Sequence, residues 1–172
     1  MSWSRMALLL SVLFVTSVHA ADVQRDEPIF IESDSLKIDD VKGISIYQGN
    51  VIFRQGPDSL KADELVIHSS EQQQVDKIIA TGRPARFDHD AELHEEKSWG
   101  EAEAIEYYAN RSLVVLNGSA HFQQGDNQFS GNRIEYESDK KLVKAGKNVA
   151  GEGRVQIVIH PRKNTQEKSA AE

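Results

Sequence analysis

From residue 21 onward, apolar side chains alternate with polar ones in short runs, and helical periodicity is not evident. In one such run, Ile105 and Tyr107 flank Glu106. Because successive side chains of a β-strand point to opposite sides of the sheet, this alternation predicts strands with one buried face. Turn-forming residues separate the runs, for example at 39–43 and 125–127, and predict tight hairpins. The chain is therefore expected to be all-β, a ladder of stacked antiparallel hairpins.

The alternating runs belong to an internal repeat with two interleaved halves. One half is a small residue followed by apolar residues at offsets three and five, and the other is a glycine that precedes a short strand. The copies of the first half begin at Ser33, Ala62, Ala102 and Gly131. The copies of the second half begin at Gly49, Gly82, Gly118 and, in degenerate form, Gly146. Such a unit cannot bury its own face, so its copies must stack into two facing layers, a sandwich or an open jelly roll.

The two ends of the predicted ladder carry apolar segments. Edge strands are normally blunted by charge, proline or bulges. Residues 28–31 at one end and 154–159 at the other nevertheless remain largely apolar. Both segments are predicted to be docking edges.

The first twenty residues are typical of a signal peptide. Arg5 precedes the apolar run 6–15 and the small-x-small sequence Val18-His19-Ala20, which predicts export and cleavage after Ala20. A membrane span needs about 18 or more apolar residues, so a retained anchor is the weaker interpretation. Residues 162–172 are polar and are expected to form a disordered tail. A single domain is therefore predicted over residues 21–161.

Composition narrows the classes of partner. The chain has 20 basic and 27 acidic residues, a net charge of −7, which argues against binding to nucleic acid. It has no cysteine, so a disulfide, a thiolate nucleophile and a cysteine-based zinc site are excluded. No phosphate loop or dinucleotide fingerprint is present, and no cofactor is predicted.

An ordered series of segments carries a family resemblance. The segments are 29–34 (IFIESD), 47–53 (YQGNVIF), 81–87 (TGRPARF), 113–124 (LVVLNGSAHFQQ) and 131–136 (GNRIEY). Together they resemble the OstA-like family of periplasmic lipopolysaccharide-transport proteins, and the similarity extends over about residues 27–160. No single motif is decisive, but the series with its spacing is specific.

The resemblance implies an open jelly roll, or β-taco, of two facing sheets with open ends. It also implies a periplasmic bridge whose subunits associate head to tail. The implied partners are lipopolysaccharide, a bitopic inner-membrane component of the same fold at the N-terminal edge, and an outer-membrane translocon at the C-terminal edge. The negative charge favours contact with the acyl chains of lipid A over capture of its phosphates by a basic patch.

Apolar residues of one parity are assigned to the inner face, where each either packs in the core or contacts the acyl chains of lipid A. As a group they form the candidate binding site. They are Ile29, Ile31, Leu36, Ile38, Ile46, Val51, Phe53, Leu65, Ile67, Phe87, Ile105, Tyr107, Phe122, Ile134 and Tyr136.

Three other interpretations compete with this one. Acidic residues and histidines at 88–97 are potential ligands of a divalent ion, but a long hairpin loop favours a solvated cluster, and no metal site is predicted. Paired carboxylates such as Asp63 and Glu64 are found in polysaccharide-acting enzymes, yet their recurrence beside buried positions is typical of a solvent face, so no catalytic residue is predicted. A structural β-filament that binds no lipid explains the repeat equally well, and uptake of an acyl probe would distinguish it from a carrier.

Overall fold

The computed structural model describes residues 27–90, 96–146 and 154–160. Within these ranges the chain forms ten β-strands and two single turns of 3₁₀ helix, Ala109–Arg111 and Ser138–Lys140. In this described part, no helix is long and apolar enough to cross a bilayer. The strands are β1 (Phe30–Glu32), β2 (Ser35–Asp39), β3 (Ile44–Gln55), β4 (Asp58–Ser69), β5 (Val75–His89), β6 (Ser98–Tyr108), β7 (Leu113–Gln124), β8 (Asn127–Glu137), β9 (Leu142–Gly146) and β10 (Gln156–Val158).

The six long strands, β3 to β8, pair antiparallel in sequence order. At one end of the sheet, β1 and β2 pair with different halves of β3. At the other end, β10 and β9 pair with different halves of β8. Among the described residues the two ends do not pair with each other, so the sheet stays open, and the expected all-β fold of antiparallel hairpins is confirmed.

The sheet is folded over on itself along a line through the middle of the long strands. Phe122 pairs with Phe129 across β7 and β8, and Tyr136 lies seven residues beyond Phe129 on β8. Seven residues of straight strand would span about 23 Å. The ring centroids of Phe122 and Tyr136 are nevertheless only 4.9 Å apart. The two halves of each long strand therefore face each other, as the two-layer prediction requires.

We name the two layers after their edge strands. The β1/β10 layer contains those strands and residues 51–62, 85–89, 98–102 and 120–131. The β2/β9 layer contains residues 35–48, 64–81, 104–117 and 133–146. The line that joins them is called the crease.

The crease coincides with a break in register at the same level of five successive strand pairs. In β3, Gly49 and Asn50 have φ angles of 81° and 49°, and in β7, Gly118 and Ser119 have φ angles of 79° and 48°. Two consecutive left-handed residues interrupt the pleat and bend the strand, a conformation in which glycine costs least. The glycines of the sequence repeat thus mark the bends.

A side chain from the preceding strand or linker holds each of three bends. In every case an acidic residue, the second of one repeat half, accepts a hydrogen bond from the residue that follows the repeat glycine. The acid and its donor are 16, 20 and 16 residues apart along the chain. These pairs are Asp34–Asn50 (2.9 Å), Asp63–Arg83 (3.4 Å) and Glu103–Ser119 (3.3 Å). The repeat seen in the sequence is therefore a repeat of the crease.

One predicted inner-face residue, Ile46, lies on the outer face. It pairs with Lys37 and Val66, whereas its neighbour Tyr47 pairs with Leu36 and with the fully buried Leu65. Because neighbours on a strand point to opposite faces, Tyr47 is the inward residue. The prediction was wrong because β3 is apolar at both parities before its bend.

Alanine at Gly118 is expected to destabilise the fold by about 1–3 kcal/mol, because the new residue must keep a left-handed conformation. Its Cβ would also lie 2.7 Å from Cδ of Glu103. Gly146→Ala is the matched control, since Gly146 occupies the corresponding place in the last repeat and a Cβ there meets nothing within 4 Å. Urea unfolding of both variants gives the comparison. Equal losses of stability would contradict the role assigned to the crease.

Candidate functional site

Side chains that point between the layers form rows that run across the strands of each layer, because directly paired residues share a face. Two apolar rows of the β2/β9 layer face two of the β1/β10 layer, and their central residues form one core. In the β2/β9 layer the rows are Leu36, Tyr47, Leu65, Ala80, Ile105, Leu116, Ile134, Ala145 and Ile38, Ser45, Ile67, Ile78, Tyr107, Val114, Tyr136, Val143. In the β1/β10 layer they are Val51, Ala62, Ala85, Ala102, Ala120, Gly131 and Ile31, Phe53, Leu60, Phe87, Gly100, Phe122, Phe129, Ile157.

Fourteen of the fifteen residues assigned to the inner face from the sequence line this cleft or its end. Seven of these fourteen are buried in the core, and Ile31, Phe87, Tyr107 and Tyr136 are half-buried against it. Ile29, Leu36 and Ile38 are exposed at the end formed by β1 and β2. Contact of any of these fourteen residues with lipid remains a prediction. The buried seven are Val51, Phe53, Leu65, Ile67, Ile105, Phe122 and Ile134.

Sequence reasoning missed several members of the same rows. Leu60 and Phe129 are the direct cross-strand partners of Phe53 and Phe122. They were not identified because, in four of the strands, the inward-facing positions switch between even and odd residue numbers at the crease. Alternation counted from one half of such a strand therefore assigns the wrong face to residues of the other half. The hairpin turns at 56–57 and 125–126 would have revealed the pairing.

The cleft is open at the β1–β4 end. A cavity of about 460 Å³ lies there, and Leu36 is 53% exposed beside it. The inner rows thus continue into exposed apolar residues at this end. The cavity is lined by Ile29, Ile31, Leu36, Ser45, Tyr47, Ile67, Ser69 and Val75.

The cleft is packed shut towards β5–β8. Phe122 is the centre of an aromatic cluster, with ring centroids 6.3 Å from Phe87, 6.0 Å from Phe129 and 4.9 Å from Tyr136. Phe87 also lies over Gly100, where a Cβ would come within 2.5 Å of its ring. The large rings fill this part of the cleft only because Gly100 has no side chain.

The rim of the β1/β10 layer is polar on its inner side. Asp58 and His89 are paired there, with Oδ1 and Nδ1 2.6 Å apart. From the same row, Gln124 Nε2 donates a hydrogen bond to Tyr136 Oη of the opposite layer at 3.1 Å. The cleft therefore has an apolar floor and, along this rim, a polar mouth. The row contains Gln55, Asp58, His89, Ser98, Gln124 and Asn127.

Comparison with known proteins identifies the architecture. Residues 30–142 match the family described as LptA/(LptD N-terminal domain) LPS transport protein. The chain belongs to this family. Over 132 residues it is 33% identical to the lipopolysaccharide export system protein LptA of Escherichia coli K12, an alignment that covers 75% of this chain and 71% of that protein. The resemblance read from the sequence is confirmed.

A second LptA-family relative, the lipopolysaccharide export system protein LptH of Pseudomonas aeruginosa, is 26% identical over 147 residues. That alignment covers 83% of this chain and 84% of the relative. The crystal structure of LptH superposes with a TM-score of 0.72 at 25% identity, over 80% of this chain and 98% of that one. The open antiparallel architecture is thus the one found in a solved LptA-family structure.

The edge strands of this LptA-family chain expose apolar side chains. Phe30 of β1 is 62% exposed, and Ile159, just after β10, is 68% exposed. Among the described residues, β1 pairs only with β3 and β10 only with β8. Both segments predicted to be docking edges therefore lie at the ends of the sheet, and docking itself remains a prediction.

The outer face carries paired charges. Lys77 Nζ lies 2.7 Å from Glu106 Oε2, and Tyr108 donates a hydrogen bond to the same carboxylate. Burial acts most strongly on the pKa of Glu106 and raises it, but hydrogen bonds from Lys77 and Tyr108, with the nearby positive charges, outweigh burial and leave the pKa below its ordinary value. The carboxylates considered for catalysis are also engaged here, since Asp63 accepts a hydrogen bond from Arg83 and Glu64 one from Gln48.

The acidic segment 88–97 is described only in part. Asp88 forms a bidentate ion pair with Arg86, and Asp90 lies 2.9 Å from Lys97 Nζ. Glu92, His94 and Glu95 lie outside the described residues. Within the described ranges no group of three potential metal ligands occurs. The solvated loop and the lack of a metal site stay predictions.

The stability of the domain is expected to fall in acid through Glu137. Hydrogen bonds from Lys140 and Lys144 lower its pKa from 4.5 to about 2. Because the folded-state pKa lies below the unfolded one, its contribution is present above pH 4.5 and is lost as the pH falls towards 2. Glu137→Gln should therefore flatten the pH dependence of the midpoint of urea unfolding over this window. The exposed Glu71→Gln is the control, and an unchanged pH profile in E137Q would contradict the assignment.

Proposed function

We propose that the protein is a periplasmic carrier that binds lipopolysaccharide by the acyl chains of lipid A and bridges the inner and outer membranes. The observation that carries the proposal is the set of apolar inner rows that run across the sheet and end in exposed residues at its open edges. Both relatives named above are lipopolysaccharide export proteins, and neither is named as an enzyme. The LptH of known structure is described as the periplasmic component of a lipopolysaccharide transport device.

The physical basis of the proposed binding is the hydrophobic effect. Burial of each CH₂ group is worth about 0.8 kcal/mol, so several acyl chains gain far more from the cleft than any single polar contact provides. The polar rim leaves the sugar head group outside, in contact with water. Burial favours the bound lipid in either direction of travel, so a partner that loads lipid at one end must set the direction of transport.

The proposal extends to localisation and assembly. Export would depend on the signal peptide predicted for residues 1–20, with cleavage after Ala20. The N-terminal edge would meet the bitopic inner-membrane component of the same fold, and the C-terminal edge the outer-membrane translocon. Among the described residues β1 and β10 each leave one edge without a partner strand, which suits addition of strands from a second copy, head to tail, and would make the cleft continuous across the joint.

A structural filament without lipid is the second candidate. It is favoured by the packed middle of the cleft, where Leu65, Leu116 and Ile134 are 0% exposed. A filament needs the edges but not the cavity at the β1–β4 end. Lipid capture therefore discriminates between the two functions.

Leu36→Asp is expected to weaken capture of lipid A at least tenfold, because it places a charge where hydrocarbon should lie, at a cost of several kcal/mol. Leu36 is exposed, so the variant should fold normally. Phe87→Asp tests the closed part of the cleft after circular dichroism has confirmed its fold. Lys61→Asp is the control because it adds the same side chain on the exposed outer face. Capture by both inner variants at the wild-type level would leave the filament as the better proposal.

Purified protein is expected to form linear oligomers as its concentration rises to about 100 μM, a range typical of transient edge contacts. Phe30→Lys and Ile159→Lys should shift sedimentation towards the monomer, because charge on an edge opposes strand addition. Val41→Lys is the control, since Val41 is 98% exposed but lies in the β2–β3 turn. A monomer at all concentrations, or an equal effect of the control, would contradict assembly through the edges.

A further inference from the structure

We propose that Gln124 and Tyr136 form a latch across the mouth of the cleft, and that acyl chains enter the β5–β8 part only when this latch opens. The inference rests on the proposed carrier function and adds the residues that control access to the closed part of the site. It is carried by a hydrogen bond that joins the two layers at their rims.

The two side chains belong to opposite layers. Gln124 ends β7 on the rim of the β1/β10 layer, and Tyr136 lies near the end of β8 in the β2/β9 layer. The hydrogen bond from Gln124 Nε2 to Tyr136 Oη, 3.1 Å long, therefore spans the mouth and is not part of a strand pair. While it is formed, the layers cannot separate at this point.

The latch closes over the aromatic cluster. The ring of Tyr136 lies 4.9 Å from that of Phe122, which is itself 1% exposed. At the other end the cavity of about 460 Å³ stays open, and Tyr47 lines it instead of sealing it. The cleft is therefore asymmetric, with an open end and a latched end.

The chemistry of the pair suits a closure that lipid can release. A net hydrogen bond between partly exposed groups is weak, so thermal motion can break it. When it breaks, a hydroxyl or carbonyl oxygen at the base of an acyl chain can accept a hydrogen bond from Gln124. Neither Gln124 nor that oxygen is then left unpaired. The ligand class is thus an amphiphile with polar oxygens where its chains meet the head group.

Spin labels across the mouth measure the latch without lipid. The chain has no cysteine, so Asp126→Cys and Asp139→Cys, both exposed and on opposite layers, can be labelled selectively. Tyr136→Phe keeps the ring but removes the acceptor. It should raise the population at long label-to-label distance at least about fivefold, because the hydrogen bond from Gln124 alone accounts for a change of that size. Lipid A should lengthen the distance in the wild-type protein.

Association of lipid A with each variant is the second measurement. Tyr136→Phe and Gln124→Leu should each accelerate it, and adding Gln124→Leu to Tyr136→Phe should change the rate no further, because the hydrogen bond between the two residues is already lost. Tyr108→Phe is the matched control: it also removes a tyrosine hydroxyl, which donates to Glu106, but Tyr108 lies on the outer face.

The outcomes separate the latch from the carrier function. Label distances and association rates in Y136F equal to those in Y108F would overturn the latch while lipid binding stands. Failure of the wild-type protein and every variant to capture lipid A would overturn the carrier proposal, and the latch with it. Faster association together with a wider mouth in Y136F and Q124L alone would support both.

Discussion

The fold depends on the bend in the middle of each long strand. Left-handed residues such as Gly49 and Gly118 interrupt the pleat, and hydrogen bonds such as that between Asp34 and Asn50 hold the bend from the preceding segment. Without the crease, the same strands would form one flat sheet whose apolar side chains have no opposing layer to pack against. With it, each of the six long strands contributes to both layers, and the cleft runs along the direction in which strands are added. The length of the cleft is thus set by the number of strands, and a second copy would extend it.

This geometry also explains why apolar residues are exposed at the ends. The inner rows cross the strands of their layer, and three of the four reach the edge strand at each end. Leu36 and Ile38 continue rows whose central members are buried, and Ile157 does so at the opposite end. In a closed barrel these positions would be covered by a neighbouring strand. In this open sheet no described strand covers them, and pairing of another chain with the edge would do so.

The sequence was sufficient to predict the strands, the repeat and the family, because alternation and turn residues determine structure over short stretches of chain. It did not reveal what the repeat does, since the contact between Glu103 and Ser119 joins residues on different strands. Ile46 was assigned to the wrong face because apolar residues occupy both sides of β3 before its bend. The hydrogen bond between Gln124 and Tyr136 could not be predicted either. The two residues meet only when β7 and β8 bend at the crease and their two halves come to face each other.

A packed core and a path for lipid are compatible in this architecture. Pairing of strands takes place within each layer, so an increase in the angle between the layers separates side chains that pack across the cleft but leaves both ladders intact. The row next to the crease supports such a motion: Ala85, Ala102 and Ala120 are small and fully buried, so they give the hinge little bulk to rearrange. Larger side chains, including Phe87 and Phe122, lie further from the crease, where the same change of angle opens the widest gap. Acyl chains that enter there would pack against both layers in place of the opposing side chains, so the apolar rows can act as the core of the empty protein and as the walls of the loaded one.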